Sequence, residues 1–263
     1  MKPSAFFDTH RVFRVEEFVE AHSAGGRRSR QTSASVLRQH VNAGNLIHVR
    51  RGVYASVPKG ARSESFAPDR FLVACALQRD AVVAYHGALR FHGRAYSVWR
   101  RLQYLTAKRA KPLSFRGCEL APVRASARWL LEDGVVQLAH AGGTVRVTSL
   151  ERTLVDVLDA PRYGGGWEEI WRSLEMIEYF DLDAVVVFAR KTGSGSTAAR
   201  VGLFLEQHRE ALMVEERYLD ALREYAPKKP LYLDRRREPG KLVPGWNLVV
   251  PERVLERRWE EGG

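Results

Sequence analysis

Over the first sixty residues the apolar positions change period. In "VFRVEEFVEAHSA", residues 12–24, Val15, Phe18 and Val19 fall on one side while Glu16, Glu17 and Glu20 fall on the other, which predicts a short amphipathic helix. From Gln31 to Leu46, "QTSASVLRQHVNAGNL", Ala34, Leu37 and Val41 recur at i, i+3 and i+7. That spacing predicts a second helix with one apolar face. Its other faces carry Gln31, Thr32, Ser33, Ser35, Arg38, Gln39 and Asn42, and Gly44 suits the left-handed residue that closes it. The period then shortens to two. Ile47–Val49 and Val53–Ser56 predict strands joined through Arg50-Arg51-Gly52, where glycine supplies the freedom a tight connection needs.

Short helix, loop, polar-faced helix, glycine stop and basic-tipped hairpin is the order of a winged helix-turn-helix, whose second helix enters the major groove while the hairpin lies on the backbone. A polar helix face alone is ordinarily just solvated, as is an Arg-Arg turn. The loop "GGRRSRQT" alters the balance. It places Arg27, Arg28 and Arg30 at the start of the polar helix, where backbone N–H groups also favour an anion. With Arg50 and Arg51, five arginines flank one short helix, and phosphate binding becomes the better reading. The candidate DNA-binding set is therefore Arg27, Arg28, Arg30, Gln31, Thr32, Ser33, Ser35, Arg38, Gln39, Arg50 and Arg51.

Farther along, "PKGARSESFAP" reads as a polar link, followed by helices over Asp69–Gln78 and about Val82–Phe91. His86 and His92 stand six apart, on different helical faces, and read as structural residues. "LQYLTA", "PLSFRG", "CELAPV", "VVQLAH" and "TVRVTS" predict strands of an antiparallel sheet, with Lys108, Arg109, Lys111 and Arg116 about its first turns. In "TSLERTLVDVLDAP", Thr148 and Glu151 fit a capping box ahead of the buried stripe Leu150, Leu154, Val157 and Leu158. Helices over Trp167–Glu178, Leu182–Arg190, Ser196–His208 and Glu215–Tyr225 follow, then late strands at "LYLD" and "WNLVVP" and a terminal helix in "PERVLERRWEE". The fold class expected is α+β: a winged helix-turn-helix domain over 1–90, then a larger mixed α/β domain over 91–263 with antiparallel strands and several helices.

Charge sharpens the division. The chain carries 42 Lys+Arg against 31 Asp+Glu, a net +11. Residues 1–130 hold 23 and 8, a net +15, and residues 131–263 hold 19 and 23, a net −4. A polyanion-binding front half and a back half with a different task are implied. Cys75 and Cys118 stand alone, without CxxC or Cys-His spacing, which points to reduced thiols, a cytoplasmic setting and no metal site. The start "MKPSAFFDTHR" lacks the apolar core of a signal peptide, and the longest apolar run, Ala184–Ala189, is far too short for a membrane span.

Enzyme chemistry finds little footing. Metal-dependent nucleases of the kind fused to winged helices need a carboxylate two residues before a lysine, and none of the eight lysines has one. "KTGSGST", Lys191–Thr197, has its lysine ahead of its glycines and a helical segment upstream, so it reads as a connection ending in an N-cap rather than a phosphate loop. Nothing places His, Ser and Asp as a triad. No catalytic residue, metal ligand or cofactor is expected.

With these segments in view, the chain resembles the AbiEi family, the antitoxin component of AbiE-type (type IV) bacterial toxin–antitoxin and phage-abortive-infection systems. "VFRVEEF", "LRQHVNAGNLIHVRRGVYA", "AYHGAL" and "SLERTLVDVLDAPRYGGGWEE" carry the likeness, "RGVYA" and "ERTLVD" most diagnostically, and residues beyond about Lys228 match less clearly. The resemblance implies a winged helix that binds inverted repeats in its own promoter and represses the operon, with Gln31–Ala43 as recognition helix and Arg50, Arg51 and Gly52 as wing. It also implies a second domain that opposes a nucleotidyltransferase-type toxin, in a scheme described as acting without a stable complex. The long "AHSAGGRRSRQT" loop departs from the family pattern. The competing expectation is a stand-alone winged-helix regulator whose second domain senses a ligand or partner.

Overall fold

Four aromatic rings organise the amino-terminal end of the chain. The computed structural model describes residues 2–23, 30–125, 131–233 and 235–259, with the backbone only for residues 23, 30 and 31. Phe6 and Phe7 lie on α1 (Pro3–Thr9), Phe13 on β1 (Val12–Arg14) and Phe18 on α2 (Val15–Ser23). Phe6 meets Phe13 at 5.0 Å and Phe18 at 5.3 Å, both edge-on, the arrangement ring quadrupoles favour. Leu37 of α3 (Arg30–Asn42) closes this cluster, and Gly44, at φ 73°, ends the turn after α3. A hairpin of β2 (Leu46–Arg50) and β3 (Val53–Ser56) follows, and β1 pairs antiparallel with β3 to give the order β1-β3-β2. Two expectations change here. Residues 12–14 are a strand, not the first turn of a helix, because Phe13 must point inward while its neighbours pair with β3. The helix α1 was not anticipated at all.

Asp69 caps α4 (Arg70–Leu77), accepting the N–H groups of Phe71 at 3.0 Å and Leu72 at 2.9 Å. A second sheet then forms from β4 (Val82–Val83), β5 (Arg101–Thr106), β6 (Leu113–Phe115), β7 (Cys118–Arg124), β8 (Val135–His140) and β9 (Gly143–Thr148). Its order is β6-β7-β5-β4-β9-β8. All five alternating runs are strands as read, but the sheet is mixed, not antiparallel. β5 runs parallel to β7 and β4 parallel to β9, while β4–β5 and β6–β7 are antiparallel. Alternation assigns side chains to faces and says nothing of a neighbour's direction. Val82 and Val83, expected in a helix, are the strand that joins the two halves of this sheet.

By contact the chain forms two units. The first comprises residues 1–83, 100–124 and 135–147; the second comprises 84–99, 125–134 and 148–263. Both sheets described so far belong to the first unit, which carries 21 Lys+Arg against 8 Asp+Glu.

The second unit is mainly helical: α5 (His86–Phe91), α6 (Leu150–Asp159), α7 (Pro161–Gly164), α8 (Trp167–Glu175), α9 (Leu182–Lys191), α10 (Gly195–Gln207) and α11 (Glu216–Arg223). Three short strands, β10 (Leu231–Tyr232), β11 (Lys241–Val243) and β12 (Leu248–Val250), and a terminal turn of helix, α12 (Glu252–Leu255), complete it. The class is α+β. The cap of α6 is Ser149, whose hydroxyl accepts the Arg152 N–H at 3.3 Å, rather than Thr148; the Thr148 hydroxyl lies 2.7 Å from that of Thr153 instead. Among the described residues no helix is long and apolar enough to cross a membrane.

The "ERTLVD" segment places Arg152 and Asp156 in the core of the second unit, 3.4 Å apart, with the Arg152 guanidinium also donating to the Leu131 and Asp133 carbonyls. Burial pushes the Asp156 carboxyl up to about 7, against the pull of Arg152. The folded state thus holds this proton to a higher pH than the unfolded chain, whose carboxyl titrates near about 4. The contribution of Asp156 to stability is therefore greatest below that value and declines as pH rises towards 7. Urea midpoints taken from pH 4 to 8 are expected to favour Asp156→Asn over the wild type increasingly as pH rises across that window. A constant difference between the two proteins would contradict the raised carboxyl.

Candidate nucleic-acid interface

The polar helix of the first unit is α3, and its inward face keeps Leu37 and Val41 of the apolar pattern but takes Ser33 in place of Ala34. Leu37 is buried and Val36 and Val41 partly so, whereas Ala34 is exposed and Ser33 is fully buried. The Ser33 hydroxyl lies 3.2 Å from Nδ1 of His22 on α2, so this serine serves a buried histidine. Ser33 therefore leaves the candidate set. A buried imidazole needs a polar partner, and position 33 shares a face with Leu37 four residues on. Thr32, Ser35, Arg38 and Gln39 are exposed, beside the small side chain of Ala34. Arg30 and Gln31 form the first turn of α3, and Arg27 and Arg28 lie outside the described residues.

The hairpin tip separates its two arginines. Arg51 is exposed. Arg50 is half-buried and its guanidinium donates to the carbonyl of Leu77 at the end of α4, so it ties the hairpin to the body of the unit and is corrected from tip cation to structural link. Gly52 adds a second tie, its carbonyl accepting the Val15 N–H at 2.9 Å. The tip is thus held at both sides and presents one cation.

A further basic feature lies on the second sheet. Lys108, Arg109, Lys111 and Arg124, with Ala110 and Pro122, line an open cleft of about 440 Å³. All four cations are exposed, and none has an ion pair among the described residues. Arg116, grouped with them by sequence, is diverted: it donates to the carbonyls of Ser63, at 3.0 Å, and Glu64. Arg124 was missed by sequence reading because it ends a strand fifteen residues beyond Arg109, and only the parallel pairing of β5 with β7 carries it to the cleft. Among the described residues of this unit, the pairs Arg14–Glu17, Arg101–Glu119 and His140–Asp69 occupy three of its few carboxylates. With so few acids the excess cations have to face solvent or a polyanion.

Lys191, at the end of α9, pairs with Asp133 at 3.0 Å and does not serve the glycines that follow it. Burial pushes the Cys75 thiol up to about 11, which disfavours the thiolate a nucleophile needs. Among the described residues no group of three or more His, Cys, Asp or Glu stands ready for a metal ion. No protein-family model matches the chain, and no curated protein matches it either.

Proposed function

We propose that the chain is a winged-helix DNA-binding antitoxin of the AbiEi kind, which represses its own operon and antagonises a nucleotidyltransferase-type toxin without itself being an enzyme. The observation that carries the DNA-binding part is the order α1-β1-α2-α3-β2-β3 with sheet order β1-β3-β2. A winged helix has this sequence of elements, with α3 in the place of the recognition helix and the β2–β3 hairpin as wing. The exposed Thr32, Ser35, Arg38 and Gln39 and the charge excess of the first unit support it. The antitoxin part rests on the sequence resemblance alone, and the antagonism need not involve a stable complex. Both partners, promoter DNA with inverted repeats and the cognate toxin, follow from this reading.

The test has two arms. The purified chain is expected to bind a duplex from its own promoter about 10³-fold or more tighter than a scrambled duplex of equal length at physiological salt. Co-expression is expected to rescue cells from a nucleotidyltransferase encoded beside it. Equal binding to both duplexes would overturn the repressor reading, and failure of rescue would overturn the antitoxin reading independently. An observation in the second unit, a cavity lined by arginines and tryptophans, favours the stand-alone ligand-sensing regulator as the alternative.

A further inference from the structure

That cavity lies wholly within the second unit. It measures about 960 Å³ and is open on one side, a size that accommodates a small organic ligand. Its walls come from the α6–α7–α8 connection, the start of α10 and the chain about residues 235 and 253. The triple glycine at 164–166 shapes one rim. At Gly165, with φ 101°, a Cβ would stand 2.5 Å from the Trp99 ring, so no other residue lets the connection lie against that indole.

The lining is chemically specific. Five arginines, at 162, 200, 235, 236 and 253, reach it, together with two indoles, Trp99 and Trp167. Several exposed arginines of this unit are met by carboxylates, as in Arg209–Glu216 at 2.7 Å and Arg217–Glu215 at 3.2 Å, while exposed Arg190 lies over the Tyr225 ring at 4.7 Å. Arg253 conforms, pairing with Glu238 at 2.7 Å. Arg162 and Arg235 do not: both are exposed, and neither has an ion pair among the described residues. Arg200 is fixed over Trp167 at 5.6 Å by the carbonyls of Leu233 and Leu158. Guanidinium groups suit phosphate oxygens, and an indole suits the flat face of a base. Trp167 is buried beneath Arg200, which leaves half-exposed Trp99, stacked on His86 by one face, as the ring available to a base.

The same walls carry two carboxylates and two hydroxyls. Asp159 accepts the Thr197 hydroxyl, Glu168 pairs with Arg172 at 3.0 Å, and Ser194 and Ser196 stand at the start of α10. The five arginines outnumber those carboxylates, so phosphates are attracted, while the carboxylates and hydroxyls add acceptors that bare phosphate cannot satisfy. A ligand that joins phosphates to neutral hydroxyl and amino donors satisfies both sets of groups. We infer that this cavity binds a nucleoside polyphosphate, its phosphates on Arg162 and Arg235 and its base against Trp99. The inference goes beyond the antitoxin reading and holds for either function of the chain.

Tryptophan fluorescence and calorimetry on the full chain, at constant ionic strength, test it with ATP, adenosine and tripolyphosphate as probes. ATP is expected to bind saturably, quench the fluorescence, and bind at least about tenfold tighter than adenosine or tripolyphosphate. Arg162→Glu with Arg235→Glu is expected to weaken ATP at least about tenfold while leaving the melting temperature and promoter binding as they are. Lys108→Glu with Lys111→Glu, in the other unit, should leave ATP binding unchanged. Three results would overturn the inference: no saturable binding, tripolyphosphate binding as tightly as ATP, or equal ATP affinity in the Arg162/Arg235 variant. The last of these, joined to weakened ATP binding in the Lys108/Lys111 variant, would assign the nucleotide to the basic surface of the first unit.

Discussion

Arg38→Ala and Gln39→Ala are expected to weaken binding to the operator by about 1–3 kcal/mol each and to leave binding to a scrambled duplex nearly unchanged, because a side chain that reads a base edge contributes only where the matching base is present. Both residues are exposed on α3. Replacing Lys108, Lys111 and Arg124 together with alanine should behave otherwise. These cations line a cleft without acids, and removing charge that neutralises phosphates weakens every duplex alike. The slope of log K against log salt should fall by roughly 0.9 for each phosphate left without its cation, up to about 2.7 for the three. Arg51→Ala should follow the same pattern at smaller size. Arg50→Ala should leave the slope unchanged and lower stability, since its guanidinium serves the Leu77 carbonyl. Anisotropy titrations of both duplexes over a salt series read all of these. Equal losses on both duplexes in the α3 variants would remove α3 from the groove, and an unchanged slope in the triple variant would remove the cleft from the backbone.

The largest stability effect is expected at Glu169, in the second unit. This carboxylate is nearly buried and accepts from His86 Nε2 at 3.0 Å, the Ser97 N–H at 2.9 Å, the Ser97 hydroxyl at 2.6 Å and the Ser173 hydroxyl at 3.3 Å. Burial by itself would raise its pKa, but the bonds from His86 and Ser97 together hold it below the usual value. His86 is fully buried and stacks on Trp99 at 4.1 Å and 14°, while Trp99 donates its indole N–H to the Ser97 hydroxyl at 2.9 Å. Glu169→Ala leaves the imidazole and the serine donors without their acceptor, at an expected cost of about 3–5 kcal/mol. Glu169→Gln, which keeps one acceptor oxygen, should cost clearly less. Because the folded pKa is depressed, the contribution is present above the unfolded carboxyl value of about 4.3 and is lost as pH falls through the folded one. Chemical unfolding at pH 7 and pH 4 measures both variants. If Glu169→Ala unfolds within about 0.5 kcal/mol of the wild type at pH 7, the cluster is not a keystone of this unit.

Dissection by fragments meets a structural obstacle. A cut near residue 95 leaves β4 without β5 and β9, its partners in the sheet. Binding experiments therefore belong on the full chain.

The sequence by itself determined the local elements wherever one period dominated. α3, the β2–β3 hairpin, the five later strands and the helices α6 and α8 to α11 stand close to where hydrophobic spacing puts them, because a period of 3.6 or of 2 is a local property of the chain. α7, a single turn at glycines whose sequence reads as a break, is not among them. It also determined the uneven charge, which is arithmetic on side chains. Elements with short or mixed signals escaped: α1, β1 and β4 are each seven residues or fewer, and their apolar residues are set by long-range pairing. Tertiary structure alone decided which candidate side chains face outward. Ser33 turned inward because His22 lies across from it, Arg50 was taken by a carbonyl of α4, and Arg124 was brought to Lys108 by a parallel strand pairing. It also decided that His86 meets Glu169, 83 residues away. A helical wheel shows which residues share a face, but the partner opposite that face comes from elsewhere in the chain, and the partner decides whether a polar group is buried and bonded or left for a ligand.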